Sequence, residues 1–474
     1  MVLHRRGNDR AVFVIVRFET RGRIHRMNAS ATQLDKRERL LARLSESRSV
    51  TDGILRFARA EALYDRPIPE RHRIVFYIGH LEAFDWNLIA GQALGLGPAH
   101  KEFDRLFAFG IDPVDGALPD DKPSDWPRLS EIDSYNSRVR EEIDNILGEH
   151  SRFSSSCWLY PQEVILNVAI EHRLMHAETL AYMLHQLGPE RKIPPRSYRP
   201  AYTPSRLPAV SRTIDIPAGF AALGMRRDGE SFGWDNEFEE HSVQVPAFAI
   251  GSHKVTNGEF LQFVRASGYD DNRLWSESDW DWIKNRSITH PHLWFKRQDR
   301  WFYRAMFEEL PLPLDWPVYV SHAEASAYSR FVGMALPTEA QFHRAAYGTL
   351  EGSGEMERAY PWGDAPPDDN RGNFDFKRWD PVAVGSYSNG RSAFGLEDAL
   401  GNGWEWTSSP FAPYIGFKPF PFYPGYSQDF FDEKHFVVKG ASPRTAACML
   451  RRSFRNWFQP HYPFVYASFR CVDN

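Results

Sequence analysis

His172 and His176 stand four residues apart in Glu171-His172-Arg173-Leu174-Met175-His176-Ala177-Glu178, inside the longer run Val164 to Leu187. On a helix this spacing sets both side chains on one face, one turn apart, with ring nitrogens able to converge on a single ion. A transition-metal site needs at least a third protein ligand and open positions for chemistry. His80 is the candidate, in Phe76-Tyr77-Ile78-Gly79-His80-Leu81-Glu82-Ala83-Phe84-Asp85-Trp86-Asn87, an apolar stretch where an imidazole without a partner is costly to bury. Asp85 or Glu82 offers another arrangement, two histidines and one carboxylate. On residue types and spacing alone zinc fits as well as iron, and ordinary hydrogen-bonded histidines are a further reading.

The elements that must position these residues follow from periodicity. Leu34, Leu40, Leu41 and Leu44 recur at helical spacing, and Thr51 is expected to cap a second helix carrying Ile54, Leu55, Phe57 and Leu63 before Pro67. Further helices are predicted from Ile74 to Leu94, from Leu129 to Ile146, and after Pro161, with a Pro/Gly/Asp-rich loop over Asp112 to Lys122. Long antiparallel helices of this kind form a bundle, where metal sites are built from inward-facing side chains of different helices. The expected organisation is a basic leader over 1–29, a helical bundle over 30–190, a linker over 191–210, and a second domain over 211–474. The linker reading rests on the prolines between Gly188 and Pro208. Beyond it, short segments such as Ile214 to Ile216, His241 to Ile250 and Val318 to Val320 read as strands, with helices at Asn257 to Ala266 and Ala323 to Gly333.

At 474 residues the chain exceeds one compact core, in keeping with two domains. A net charge of −5 and a pI near 6.4 leave no electrostatic footprint for nucleic acid or an anionic membrane. Aromatics reach 14%, with 15 Trp, which suits irregular backbone held by flat side chains or a pocket for a planar or cationic ligand. Cys157, Cys448 and Cys471 are too scattered for a disulfide framework, and no apolar run approaches a spanning helix. The arginine-rich leader lacks the apolar core and cleavage site of a signal peptide, so a cytoplasmic location is expected.

The region over 211–474 resembles the sulfatase-modifying-factor, or formylglycine-generating-enzyme, domain, an α+β architecture related to C-type lectins. The matching motifs are Val255-Thr256-Asn257-Gly258-Glu259-Phe260, Ala335-Leu336-Pro337-Thr338-Glu339-Ala340-Gln341-Phe342, Tyr360-Pro361-Trp362-Gly363, Gly401-Asn402-Gly403-Trp404-Glu405-Trp406-Thr407, Lys439-Gly440-Ala441-Ser442 and Phe469-Arg470. The N-terminal region resembles the DinB-like four-helix bundle. Together they resemble the ergothioneine and ovothiol sulfoxide synthases, a likeness extended by Ser231-Phe232-Gly233-Trp234-Asp235-Asn236-Glu237 and by Gly268-Tyr269 with Leu274-Trp275. The resemblance implies that His80, with the His-x3-His-x-Glu motif of His172, His176 and Glu178, holds a non-haem iron(II). It further implies that O2 drives the joining of a sulfur donor to the imidazole of hercynine, a histidine betaine. Glu178 is expected to orient a ligand imidazole or a helix neighbour.

By the same resemblance Asn456 and Trp457 contact the betaine carboxylate, and Met175 stands where some members carry a Gln that meets the substrate imidazole. Members that use γ-glutamylcysteine carry an Asp and an Arg where this chain has Phe458 and Tyr462, so that donor is expected to be excluded. Free cysteine or a selenosugar is the expected replacement, the latter as in selenoneine synthases. The family's active-site tyrosine corresponds to Tyr423 or Tyr414, and Tyr77, three residues before His80, is a third candidate. Other classes to be weighed are a zinc-dependent DinB-type thiol transferase, formylglycine generation through Cys448 and Cys471, and a lectin-like binding module.

Overall fold

A computed structural model describes residues 36–108, 120–149, 157–196, 198, 212–228, 231–350 and 357–473. The expected leader, most of the Asp112 to Lys122 loop and most of the linker lie outside these residues.

The N-terminal region is helical. Helix α1 runs over residues 36–55 without a break, so Thr51 is not a cap: buried in mid-helix, its hydroxyl donates back to the Arg48 carbonyl at 2.9 Å. Helix α2 spans Ile74–Asp85 and continues as a π-helix over Trp86–Ala93, reaching the predicted end near Gly95, whose φ is +67°. A short helix α3 (Lys101–Leu106) precedes the long helices α4 (Leu129–Gly148) and α5 (Gln162–His185). Helix α2 packs against both α4 and α5. Helix α1 is fastened to its neighbours by Arg48 on Asp144, Arg43 on Asn167 and Asp52 on Arg140. Nineteen of the 24 residues of α5 are buried, far more than one amphipathic stripe, because the helix is covered by the bundle on one side and by the second domain on the other.

Among the described residues, the C-terminal domain mixes short helices with four small sheets. The sheet that matters for the site contains β1 (Gly403–Pro410), β2 (Phe436–Ala441), β3 (Asn456–Phe458) and β4 (Ala467–Ser468), in the order β3-β2-β1-β4. Strand β4 pairs parallel with β1, and the other pairs are antiparallel. The Gly401-Asn402-Gly403 turn that launches β1 has positive φ at all three residues. A Cβ at Gly401 would lie 2.7 Å from the Asn373 carbonyl oxygen, which explains the glycine there. The predicted strand over Val318 to Val320 is extended but irregular, donating backbone bonds to Val255 and Ala467 on different neighbours. One continuous apolar core runs from Leu40 and Leu44 in α1 through α5 to Phe469 and Cys471, so the two regions share their interior. No helix of the described residues is long and apolar enough to cross a membrane.

Candidate metal centre and cavity

Helix α2 brings His80, and α5 brings His172 and His176, to one point between the helices. The Nε2 atoms of His80 and His176 are 3.2 Å apart, those of His176 and His172 3.1 Å, and one ligand nitrogen from each ring lies within 4.8 Å of the others. All three residues are at most 4% exposed. Burial holds the His80 imidazole down, to about 4, and burial together with the neighbouring rings holds His172 and His176 well below their ordinary value, so all three are neutral near pH 7. His80 Nδ1 lies 2.6 Å from the Phe107 carbonyl oxygen, which can only accept; the proton is therefore on Nδ1, and Nε2 keeps its lone pair for the centre. Phe84, one turn beyond His80, stacks flat on His172 with centroids 3.4 Å apart.

With His172 and His176 in the same tautomer as His80, three lone pairs meet at one point, and a divalent cation there satisfies all three. Neutral imidazoles suit iron and zinc alike. Among the described residues this trio is the cluster of His, Cys, Asp or Glu side chains with metal-ligand geometry. The carboxylate alternative fails on partners. Asp85 and Glu82 both receive bonds from the buried Arg173 guanidinium, at 2.6 and 2.9 Å, and Glu82 also binds Arg140. These carboxylates neutralise buried arginines and stand apart from the trio.

His172 and His176 open onto a cavity of 840 Å³ whose wall combines both domains. Met175, Asn456, Trp457, Phe458 and Tyr462 all line it, so the sequence-predicted substrate contacts are brought together beside the histidines. Strand β3 carries Asn456 to Phe458, paired to β2 with Trp457 opposite Val437. The Trp457 indole stacks on Phe411 at 4.0 Å and meets Tyr426 and Phe430 at their edges or at a tilt, each centroid 5.5 Å away. Phe458 and Tyr462 stack at 6.0 Å with planes 9° apart.

The tyrosine candidates separate. Tyr423 lines the cavity, its ring 6.5 Å from His172 and 5.5 Å from Phe84. Tyr77 is fully buried behind the trio, 5.6 Å from the His176 ring. Tyr414 is elsewhere: its hydroxyl donates to Glu339 at 2.9 Å, Arg455 lies over its ring, and it belongs to a second apolar cluster.

Glu178 does not orient an imidazole. Its buried carboxylate accepts from Trp404 Nε1 at 2.7 Å, Ser442 Oγ at 2.5 Å and Thr445 Oγ1 at 2.9 Å, all in the C-terminal domain. Two turns earlier on α5, Glu171 accepts from Trp234 Nε1 at 2.9 Å and from both terminal nitrogens of Arg451. The helix that carries His172 and His176 is thus pinned to the C-terminal domain at two points, each an indole on a carboxylate. Sequence reasoning missed Glu171, Arg451 and the roles of Trp234 and Trp404. It also missed Glu70 and Arg71, which line the cavity from the turn before α2; Arg71 Nε donates to Tyr462 Oη at 2.8 Å. The wall expected to be apolar at Phe458 and Tyr462 therefore has charged groups from the bundle beside it. The signal available for the two tryptophans was their place in motifs already quoted; none marked Glu70 or Arg71.

A helical region holding a histidine trio against an irregular α+β domain defines a class before any relative is named. Residues 200–474 match the sulfatase-modifying factor enzyme 1-like domain. The chain belongs to that family and to the family of the proteins named hercynine oxygenase. The hercynine oxygenase of Mycolicibacterium thermoresistibile is 36% identical over 448 residues, covering 92% of this chain and 95% of its own. That of Mycobacterium tuberculosis is 39% identical over 253 residues, 53% of this chain and 58% of its own. Ergothioneine biosynthesis protein 1 of Neurospora crassa is 30% identical over 495 residues, 87% of this chain and 55% of its own. This chain thus spans little more than half the length of the last two.

Proposed function

We propose that this protein is an O2-dependent, non-haem iron(II) enzyme that joins a small sulfur donor to the imidazole of hercynine, on a DinB-like bundle and in the cytoplasm. The observation that carries the reading is the convergence of three neutral, buried imidazole nitrogens beside a cavity walled by the C-terminal domain. Iron(II) held by His80, His172 and His176 would supply the redox chemistry by which O2 couples the two substrates.

The protein's own groups do the rest. A trimethylammonium head offers no hydrogen-bond donor, and the faces of Trp457, Tyr426 and Phe430 give it a cation–π surface. Asp429 and Asp432, in the same wall, complement its charge. Asn456 supplies an amide for the betaine carboxylate, Met175 bounds the space for the imidazole ring, and Phe84 holds the His172 ring by stacking on it. Tyr423 has its phenol at the cavity and would hold the proton passed to or from the reacting groups. The donor is a small thiol other than γ-glutamylcysteine, since Phe458 and Tyr462 replace the charged pair used for it. A selenium analogue of that donor shares this subsite and would yield the carbon–selenium product. Formylglycine chemistry is disfavoured: burial pushes the Cys448 and Cys471 thiols up to about 12, away from the reactive thiolate.

Anaerobic reconstitution with Fe(II), followed by O2, hercynine and either cysteine, γ-glutamylcysteine or a selenosugar, tests the reading by product mass. A C–S or C–Se adduct of hercynine with concomitant O2 uptake supports it. Equal activity with Zn(II) and no O2 uptake would replace it with thiol transfer.

A further inference from the structure

One cavity group is satisfied by nothing in the protein and has no part in the reading above. Glu70 lies in the turn between Pro69 and Arg71 and lines the cavity, yet its Oε2 is shut off from solvent and accepts no hydrogen bond from the protein. A carboxylate that borders a ligand cavity with one oxygen closed off and left without a donor is costly, and a ligand that brings an N–H or O–H to its accessible side offsets that cost. Its surroundings say which ligand. Arg71, the next residue, donates Nε to Tyr462 Oη and lies over that ring, 5.2 Å from its centroid. Tyr462 in turn stacks on Phe458. These are the two positions where the chain lacks the Asp and Arg expected of γ-glutamylcysteine users. The bundle places a carboxylate and a guanidinium of its own, adjacent in sequence, in the same cavity wall.

We propose that Glu70 selects the sulfur or selenium donor by accepting a hydrogen bond from an ammonium or hydroxyl group on it, and so is a specificity-determining residue of the donor subsite. The inference rests on the reading of the cavity as the site of a hercynine–donor reaction. A donor that brings a carboxylate and no N–H or O–H to this spot leaves Oε2 unsatisfied and adds a like charge beside it.

The experiment uses the full chain loaded with Fe(II), hercynine and O2, and three probe donors. Cysteine carries an ammonium, 1-thio-β-D-glucose carries hydroxyls, and 3-mercaptopropionate carries a carboxylate with neither. The wild type is expected to use at least one of the first two with a KM well below that for 3-mercaptopropionate. Glu70→Ala should raise the KM of that preferred donor by about tenfold or more, while the KM for hercynine moves less than twofold. Glu70→Gln keeps an acceptor and loses the charge. It should restore most of the affinity for a hydroxyl donor and little for an ammonium donor, which identifies the group bound. A donor KM unchanged in Glu70→Ala, with turnover intact, overturns the role of Glu70 and leaves the function standing. Equal use of all three probes by the wild type overturns it as well. No turnover of hercynine with any probe removes the function and this inference together.

Discussion

The floor of the cavity is carried by helix α5, which α2 meets at the histidine trio, whereas its wall is made mostly of turns, the three-residue strand β3 and Trp404 of β1. The floor groups are few, buried and mutually directed: three nitrogens face one point, and the Phe107 carbonyl fixes a tautomer. The wall groups are many and aromatic, held by stacking among Trp457, Phe411, Tyr426 and Trp234. A rigid helical floor suits a centre whose ligands must keep fixed positions. A wall of large rings on irregular backbone suits recognition, because rings can be exchanged without moving the ligands. The two are joined by Glu171 and Glu178, so the comparison can be broken at the floor, at the joint or in the wall.

The floor gives the largest effect. His172→Ala removes one of the three converging imidazoles and the ring on which Phe84 stacks. Metal analysis of the reconstituted variant should show binding weakened by more than the roughly 10–100-fold that loss of an outer-shell partner costs. Turnover falls with it, and a variant that keeps iron and activity would remove the floor from the account.

The joint comes next. Glu178→Ala leaves the Trp404 indole, Ser442 and Thr445 hydroxyls without their buried acceptor. The expected loss is about 3 kcal/mol in denaturant unfolding, with Glu178→Gln recovering part because its amide oxygen still accepts. Since the apolar core is continuous, floor and wall should unfold in one transition in the wild type. A split transition in Glu178→Ala would show the joint to be what couples them.

What could be read from the sequence divides along the same line. His172 and His176 were legible because a helix has a period, and four residues always return to one face. The run from Ile74 was legible for the same reason, which placed His80. Thr51 was misread because its residue type favours a cap, while packing of Leu44 and Ile54 on either side kept the helix continuous. In the wall no period exists. Asn456, Trp457, Phe458 and Tyr462 came from motif likeness, not from geometry, and Glu70 and Arg71 could not be found because their approach depends on the docking of two regions. Glu178 was seen but its partners were not, since they lie more than 220 residues away.

The wall also titrates differently from the floor. Burial raises the Asp235 carboxyl to about 6, although Ser427 donates to it. The unfolded chain ionises this group near its ordinary value of 3.8, so between pH 3.8 and about 6 the folded state binds more protons. Stability from this group is therefore present at low pH and lost as pH rises through that window. Asp235→Asn, which can still accept from Ser427, should gain about 2 kcal/mol at pH 7.5 and nothing near pH 4. The imidazoles of the floor act in the opposite sense: with His80 at about 4, protonation of the unfolded chain lowers stability as pH falls below 6.5. Thermal unfolding of wild type and variant across pH 4 to 8 separates the two.

The smallest effect marks where the wall ends. Tyr414 and Tyr423 are equally good tyrosine candidates by position in the chain, yet Tyr423 faces the cavity and Tyr414 is spent on Glu339 and Arg455. Tyr414→Phe removes one hydrogen bond to a carboxylate that Arg455 still satisfies, so stability should fall by about 1 kcal/mol with kcat unchanged. Tyr423→Phe should instead lower kcat, because Tyr423 lines the cavity beside His172. If the two variants exchange these outcomes, Tyr414 and not Tyr423 is the tyrosine that serves the reaction.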